Sequence, residues 1–572
     1  MLRRRAVPIF VMTLREWKPG LIAAAVLAVI TSVPQIYLCY ERGSEWNGSF
    51  ASFDTDEFAY AAYVNALINQ RPRLNDPYTG QDGGSFETLF SIQFFPAYAV
   101  AIPARMGVSA SSAYIILLPL ITIASALILF RLLFELTQNE NLSAIGAFGV
   151  LCFGWSAATA PWIFFSPHVA FPFLRRYMPA FPFPFFLALT LFVWWAIVKN
   201  SFLWAFLTGL TLIVLIYSYF FLWTAAAAWL VVLLILWVVA RPQDRQMIWR
   251  VFGVIGAMGL IALIPFAWLI QYRRPGIDQV QLMVELTHRP DLLRGPEIYG
   301  AVILLGLIGR DWRQPKTLFM LSFALAPFLV FNQQLITGRS VQPFHYEQFV
   351  ANYWVLIGLF LAFGVRWSVP RRILVYLALA GLGLGLSYGL VAAMGRFKTN
   401  VAVDKGRAAA LKLDGKGLVF ASSRDMSYSL AATASNPVLW ARYLLTFSHV
   451  GFEDQKRRSY QYLYYSKVGE DDLRTSLKIE GDSARFETFG VDRANPALTS
   501  NPRAITPQEI EQAVADYGRF SSTFGRADAV TPLLSYAIVS PTDDLSNLDK
   551  WYERDAGERV GAYNLYRLKL RE

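Results

Sequence analysis

Phe53-Asp54-Thr55-Asp56-Glu57-Phe58-Ala59-Tyr60-Ala61-Ala62-Tyr63 is the stretch on which the reading of this chain turns. It places three carboxylates in four positions and continues as an amphipathic run of aromatics and alanines, with Asp56, Tyr60 and Tyr63 at helical spacing. Just upstream, residues 20–40 form an apolar run long enough to cross about 30 Å of hydrocarbon. That run is about 20 residues long and has no A-x-A-like site, so it reads as a retained span and not a cleaved leader. Further apolar runs follow at 113–130, 143–164, 180–198, 202–217, 220–240, 251–270, 298–309, 318–331, 349–365 and 373–394. The reading is therefore a polytopic α-helical membrane protein of about eleven spans. The runs at 298–309 and 318–331 are short, but they come as a pair, so omitting both leaves the orientation of the rest unchanged.

Composition supports this class. The 572 residues are 55% hydrophobic and 16% charged, whereas a soluble globular protein carries about 25% charged residues. An ordinary soluble enzyme and a disordered chain are both excluded. Two cysteines, Cys39 and Cys152, make no disulfide scaffold. The four histidines, His168, His288, His345 and His449, have no HExxH spacing. The net charge of +11 divides unevenly: from residue 395 onward Lys+Arg number 25 and Asp+Glu 23, leaving 27 and 18 in the apolar part. Basic residues there suit topology and lipid headgroups. A tail near neutrality offers no basic face for nucleic acid.

Topology follows from the loops. Arg3, Arg4, Arg5, Arg15 and Lys18 precede the first span and are expected in the cytoplasm. Counting onward puts Arg131, Lys199, RPQDRQMIWR (241–250), RDWRQPK (310–316) and RWSVPRR (366–372) on that side, each short and basic. The opposite side receives the large first loop 41–112, then 166–179, 271–297 and 335–348. It also receives the tail 395–572, read as a soluble α/β domain following a 1–394 membrane domain. Within the tail, Thr506-Pro507-Gln508-Glu509 has the pattern of a capping box and predicts a helix through about Phe520. LLSYAIVS (533–540) and YNLYRLKL (563–570) read as strands with a turn at PTDD, and SYQYLYYS (459–466) as a strand surface.

The acids of the opening stretch allow two roles. Asp54 or Thr55 suits a helix N-cap, with Asp56 and Glu57 favoured in the first turn by the helix dipole. A carboxylate held beside the membrane face also suits a general base for an incoming hydroxyl or amine. Asp76 and Asp82, in NDPYTGQDGG (75–84), read first as turn residues.

DEFAYAAYVNALINQ (56–70), followed by TLFSIQFFPAYAVAIPARMGVS (88–109) and the next span, resembles the GT-C superfamily of membrane glycosyltransferases. The likeness is to the branch holding protein O-mannosyltransferases and the lipid A aminoarabinose transferase. ITGRSVQPFHYEQ (336–348), YAIVSP (536–541) and YNLYRL (563–568) are similar to segments of large bacterial members.

This resemblance implies an inverting transfer from a polyprenyl-phosphate sugar to a glycan, lipid or protein acceptor, at the external face of a bacterial inner membrane. Asp56 would be the base and Glu57 its support, while Asp54 leaves the choice between the two aspartates open. A departing lipid phosphate calls for cations, and arginine matches phosphate through its fork of donors. Arg175 and Arg176, between proline-rich aromatic segments, are the first candidates. Arg339 with His345, and Arg273 with Arg274, come next, although arginines at span ends also suit lipid headgroups. Asp54-x-Asp56 has the oxygen donors of a divalent-cation site, but a monophosphate donor needs little charge compensation, so no cofactor is expected. A transporter of lipid-linked sugars would place Asp, Glu or His within its spans, and the eleven runs contain no Asp or Glu. A membrane anchor for the tail is a third reading, and eleven spans exceed what an anchor needs.

Overall fold

The computed structural model describes residues 12–82, 84–159, 175–274, 284–291, 294–364, 370–444, 450–480, 482–494 and 503–572. Arg3, Arg4, Arg5, His168 and His449 lie outside the described residues. Among the described residues seven helices are long and apolar enough to cross a membrane: Leu14–Glu45, Ala110–Thr137, Phe220–Ala240, Pro242–Gln271, Pro315–Thr337, Pro343–Gly364 and Arg372–Gly395. Four shorter apolar helices, Glu140–Gly154, Phe183–Lys199, Phe202–Ile216 and Gly295–Gly306, stand at the remaining expected runs. The chain is a mostly helical, multi-pass membrane protein with a small C-terminal sheet domain. Of the runs that looked short, Pro315–Asn332 is a full helix, whereas Gly295–Gly306 has 12 residues.

Local chemistry sets the helix ends. Thr13 and Glu16 form a capping box at the first helix, and the Ser109 hydroxyl accepts the N–H of Ser112 at 3.0 Å to open Ala110–Thr137. Gln138 and Asn200 take left-handed conformations that stop the helices before them. Pro343–Tyr346 leads through a π-helical turn, Glu347–Ala351, into Asn352–Gly364. Such a turn re-aims side chains within an otherwise regular helix.

The two ends of the bundle differ in chemistry. At one end the basic turns lean on each other: Arg241 donates to the Arg313 carbonyl at 2.9 Å, Lys316 to that of Leu136 at 2.8 Å and Arg310 to that of Ala362 at 3.1 Å. At the other end the Glu87 N–H donates to the Tyr272 carbonyl at 2.8 Å, and Arg294 meets Glu347 at 2.9 Å. There β1 (Glu285–Leu286) also pairs antiparallel with β2 (Arg339–Ser340). Loops assigned to one side of the membrane thus meet at one end of the molecule.

The tail joins that same end. Helix Phe397–Ala410 follows directly on Arg371–Gly395. Among the described residues five strands make the sheet: β3 (Leu418–Ala421), β4 (Leu534–Val539), β5 (Tyr552–Arg554), β6 (Glu558–Val560) and β7 (Tyr563–Leu570). β3 and β4 run parallel, β7 lies antiparallel to β4, and β5 and β6 both pair with β7. The capping box at Thr506 and Glu509 does open a helix, Pro507–Thr523.

The stretch 459–465 is not a strand. It belongs to helix Phe452–Tyr465, whose first turn carries Glu453 and Asp454 and whose tyrosines 460, 462, 464 and 465 are all buried. Tyrosine's β preference is overridden by packing: Phe420 of β3 meets Tyr462 and Tyr465, each at 5.9 Å between ring centres.

Candidate functional site

The acidic stretch begins a helix, Asp56–Ile68, and its acids build the start of that helix. Asp54 Oδ1 accepts the N–H of Asp56 at 3.1 Å. Glu57 Oε1 reaches back to the N–H groups of Phe53 and Asp54, at 2.7 and 3.2 Å. Backbone donors left unsatisfied at a helix start are met by carboxylates, which the helix dipole also favours. Asp54 and Glu57 thus do the capping, and Asp56 does not.

The helix is not amphipathic in its setting. Every residue from Glu57 to Val64 is buried. Helix Phe95–Arg105 packs against it, and Asn65 donates to the tail carbonyls of Ala431 and Ala434 at 3.1 and 3.0 Å. The expectation of an amphipathic run is corrected: protein covers the face that water or lipid would have met. The run of alanines and tyrosines without a charge after Glu57 agrees with burial all round.

Asp56 is the opening in this cover, its side chain 32% exposed. One carboxylate oxygen receives Arg175, and the other accepts the hydroxyl of Tyr443 from the tail. Tyr443 also lies 3.2 Å from the Thr55 hydroxyl. Burial pushes the Tyr443 phenol above its ordinary pKa, so it stays a donor. The Arg175 guanidinium is 6% exposed and stands 3.5 Å from Asp54 Oδ2. It donates to the Tyr60 hydroxyl at 2.8 Å and lies over the rings of Tyr60 and Phe349. One cation therefore serves two aspartates inside an aromatic frame, and the planar fork of arginine suits that task.

Glu57 and Arg176 form a second pair, enclosed beneath the first. Their side chains are 2% and 1% exposed, with 3.3 Å between Arg176 Nη1 and Glu57 Oε2. Arg176 also donates to the Ala51 carbonyl. Burial raises the Glu57 carboxyl, opposed by Arg176 and by the N–H groups of Phe53 and Asp54. Both arginines therefore spend donors on protein groups, Arg176 on the enclosed Glu57 and the Ala51 carbonyl and Arg175 on the part-exposed aspartates and Tyr60.

The remaining cations expected from sequence stand elsewhere. Arg274 donates to the Val450 carbonyl at 2.6 Å, tying the bundle to the tail. Arg273 bridges Glu87 along the backbone, and Arg339 lies exposed on β2. Among the described residues none of these three pairs with Asp54, Asp56 or Glu57. His345 is half-buried, stacked on Phe221 at 4.6 Å and tilted against Phe349 at 5.6 Å. The Phe349 ring touches both His345 and Arg175. Asp76 is a turn residue as expected, accepting the N–H groups of Tyr78 and Thr79 at 3.1 and 3.0 Å. Among the described residues no three His, Cys, Asp or Glu side chains group closely enough to hold a metal ion.

Tyr443 is the residue that sequence reasoning missed, together with its neighbour Arg442, which stacks on Phe486 at 4.3 Å. ARYLL (441–445) matches no motif and lies far along the chain from Asp56, so no local signal marks it.

No protein-family profile matches the chain, and no curated protein matches it significantly. Similar solved structures include ArnT from Cupriavidus metallidurans in the apo state, with 10% identity and a TM-score of 0.43, covering 89% of this chain and 93% of that one. Another is the archaeal oligosaccharyltransferase AglB from Archaeoglobus fulgidus, in complex with an inhibitory peptide and a dolichol-phosphate. It has 12% identity and a TM-score of 0.33, covering 96% of this chain and 74% of that one.

Proposed function

We propose that the chain is a membrane glycosyltransferase in which Asp56 removes a proton from an acceptor while a sugar leaves a polyprenyl phosphate. The observation that carries this reading is the setting of Asp56. It is a part-exposed carboxylate at a buried helix start, held by Arg175 on one oxygen and by Tyr443 on the other, whereas Asp54, also part-exposed, accepts the helix's own Asp56 N–H. The resemblance of residues 56–109 to the GT-C superfamily supplies the reaction class.

In the proposed step the acceptor O–H or N–H loses its proton to Asp56 and its electron pair forms the new bond to the anomeric carbon. The bond from that carbon to the phosphate oxygen breaks, and its electron pair leaves with the lipid phosphate. Attack opposite the leaving group inverts the anomeric centre. Arg175 is the cation nearest the base and opposes the phosphate charge that develops on departure. Glu57 and Arg176 hold the chain entering the helix and take no part in proton transfer. Asp54 keeps Arg175 in place and caps the helix.

The reading puts this site at the external face. The basic turns sit at the other end of the bundle, and basic turns are retained in the cytoplasm. The tail then closes the site from outside and contributes Tyr443 to it.

The test uses purified full-length chain in lipid nanodiscs with a polyprenyl-phosphate sugar labelled in the sugar, and a crude envelope extract as acceptor source. Transfer of label with release of polyprenyl phosphate and inversion at the anomeric carbon supports the reading. Movement of intact labelled lipid between leaflets without release would replace it with a transporter.

A further inference from the structure

We infer that the tail holds a second binding site, for an anionic, hydroxyl-rich group such as an acidic sugar, in a cleft against helix Phe397–Ala410. The inference rests on the proposed transfer only in naming the glycan part of an acceptor as the ligand; the cleft itself stands on the geometry below.

The cleft encloses about 470 Å³, a volume suited to a ligand of one to a few sugar units. It lies beyond the carboxyl ends of β3 and β4, where Ser422, Ser540 and Asp543 follow the two parallel strands. In open α/β sheets that crevice is where ligands bind. Lys398 and Lys405 face it from the helix, Tyr563 from the start of β7, and Phe397 adds an aromatic wall.

Charge decides the ligand class. Asp543 is tied to the strand ends, its Oδ2 accepting the Ser422 hydroxyl and the Ser540 N–H, and sets one carboxylate charge against the two ammonium groups of the cleft, which keeps a net positive charge. Among the described residues neither Lys398 nor Lys405 pairs with a carboxylate, and both are exposed. Two free ammonium groups, serine hydroxyls and two aromatic faces match a ligand with negative charge, hydroxyls and apolar ring faces.

The same helix links the cleft to Asp56. Lys398, Ala402 and Lys405 form one stripe at helical spacing; Asn400, Asp404 and Arg407 form another, offset by two residues and so on nearly the opposite side. The second stripe clamps the loop before the acids. Asn400 Oδ1 accepts the Ser52 N–H at 2.9 Å, Asp404 Oδ1 accepts the Ser49 hydroxyl at 2.7 Å, and Arg407 donates to the Asn47 carbonyl at 3.1 Å. A ligand in the cleft is thus held on the element that positions residues 47–52, directly ahead of Asp54 and Asp56.

Binding of a galacturonic-acid trimer is measured on full-length chain in phosphatidylcholine nanodiscs, with neutral maltotriose as control. Asp56→Asn chain is run alongside, so that loss of transfer chemistry and loss of this site are told apart. The expected result is saturable binding of the acidic trimer by wild type and D56N alike, with neutral trimer weaker. The K398E/K405E variant is expected to lose about tenfold or more in affinity. A402W, which fills the cleft without changing charge, is expected to lose binding with its melting temperature unchanged. Absent binding to wild type, equal binding by K398E/K405E, or equal binding of the neutral trimer would overturn the inference. So would a trimer that binds only when phosphatidylglycerol is absent, because the lysines would then be lipid-headgroup contacts.

Discussion

The hydroxyl of Tyr443 donates to the carboxylate of Asp56 across 387 positions of sequence, joining the tail to the first turn of the buried Asp56–Ile68 helix. The proposed base is therefore assembled from two parts of the chain: the bundle supplies the carboxylate and Arg175, and the tail supplies the donor that fixes its second oxygen. A carboxylate held on both oxygens presents a defined lone pair to an acceptor, and positioning of this kind is a large part of general-base catalysis.

Tyr443→Phe removes this donor and keeps the ring. The expected outcome is a fall in kcat of about ten- to a hundredfold, with little change in KM for the lipid donor. Steady-state kinetics on chain with an unchanged melting temperature checks it. A change confined to KM would place Tyr443 in donor binding.

Arg175 is expected to act by its fork as well as its charge. Arg175→Ala should lower kcat by about a hundred- to a thousandfold, and Arg175→Lys should recover only part of that, because a lysine cannot serve both aspartates and the Tyr60 hydroxyl together. Kinetics on the two variants side by side makes the comparison.

Glu57 and Arg176 should behave as a structural pair. Glu57→Gln leaves the Arg176 guanidinium buried with its charge partner removed, a change that costs about 3–5 kcal/mol. Arg176→Met alone should be similarly damaging. The double variant is expected to lose less than the two single losses combined, and a double-mutant cycle of melting temperatures reads the difference.

Glu487 gives the tail a pH dependence. Burial pushes its carboxyl up to about 7, against the lowering influence of Arg424, Ser459 and Arg442. The folded tail therefore binds this proton more tightly than the unfolded chain. Stability from this group is fully present below the ordinary glutamate pKa and is lost as pH rises through about 7, by about 3 kcal/mol in total. Glu487→Gln should flatten the fall in melting temperature between about pH 5 and pH 8.

Most of the bundle was legible in the sequence because burial in lipid demands long apolar runs, and each expected run holds a helix. The cap at Thr506 and the strands β4 and β7 were legible for a similar reason, since their signals are local. The acids 54–57 and the neighbouring Arg175 and Arg176 were legible as candidates, but not the division of labour between them. That depends on depth, and only the fold buries Glu57 with Arg176 while leaving Asp56 open. Tyr460 to Tyr465 were misread because tyrosine's strand preference was weighed above Glu453 and Asp454, which mark a helix start. Tyr443 was invisible, since a contact between positions so distant in sequence has no local pattern.

The central claim is that Asp56 takes the acceptor's proton. Single-turnover transfer from a labelled polyprenyl-phosphate sugar by Asp56→Asn chain, folded and loaded with donor, tests it most directly. The account predicts a loss of at least about a hundredfold in the transfer rate, with donor affinity retained. Transfer at the wild-type rate by that variant would contradict it.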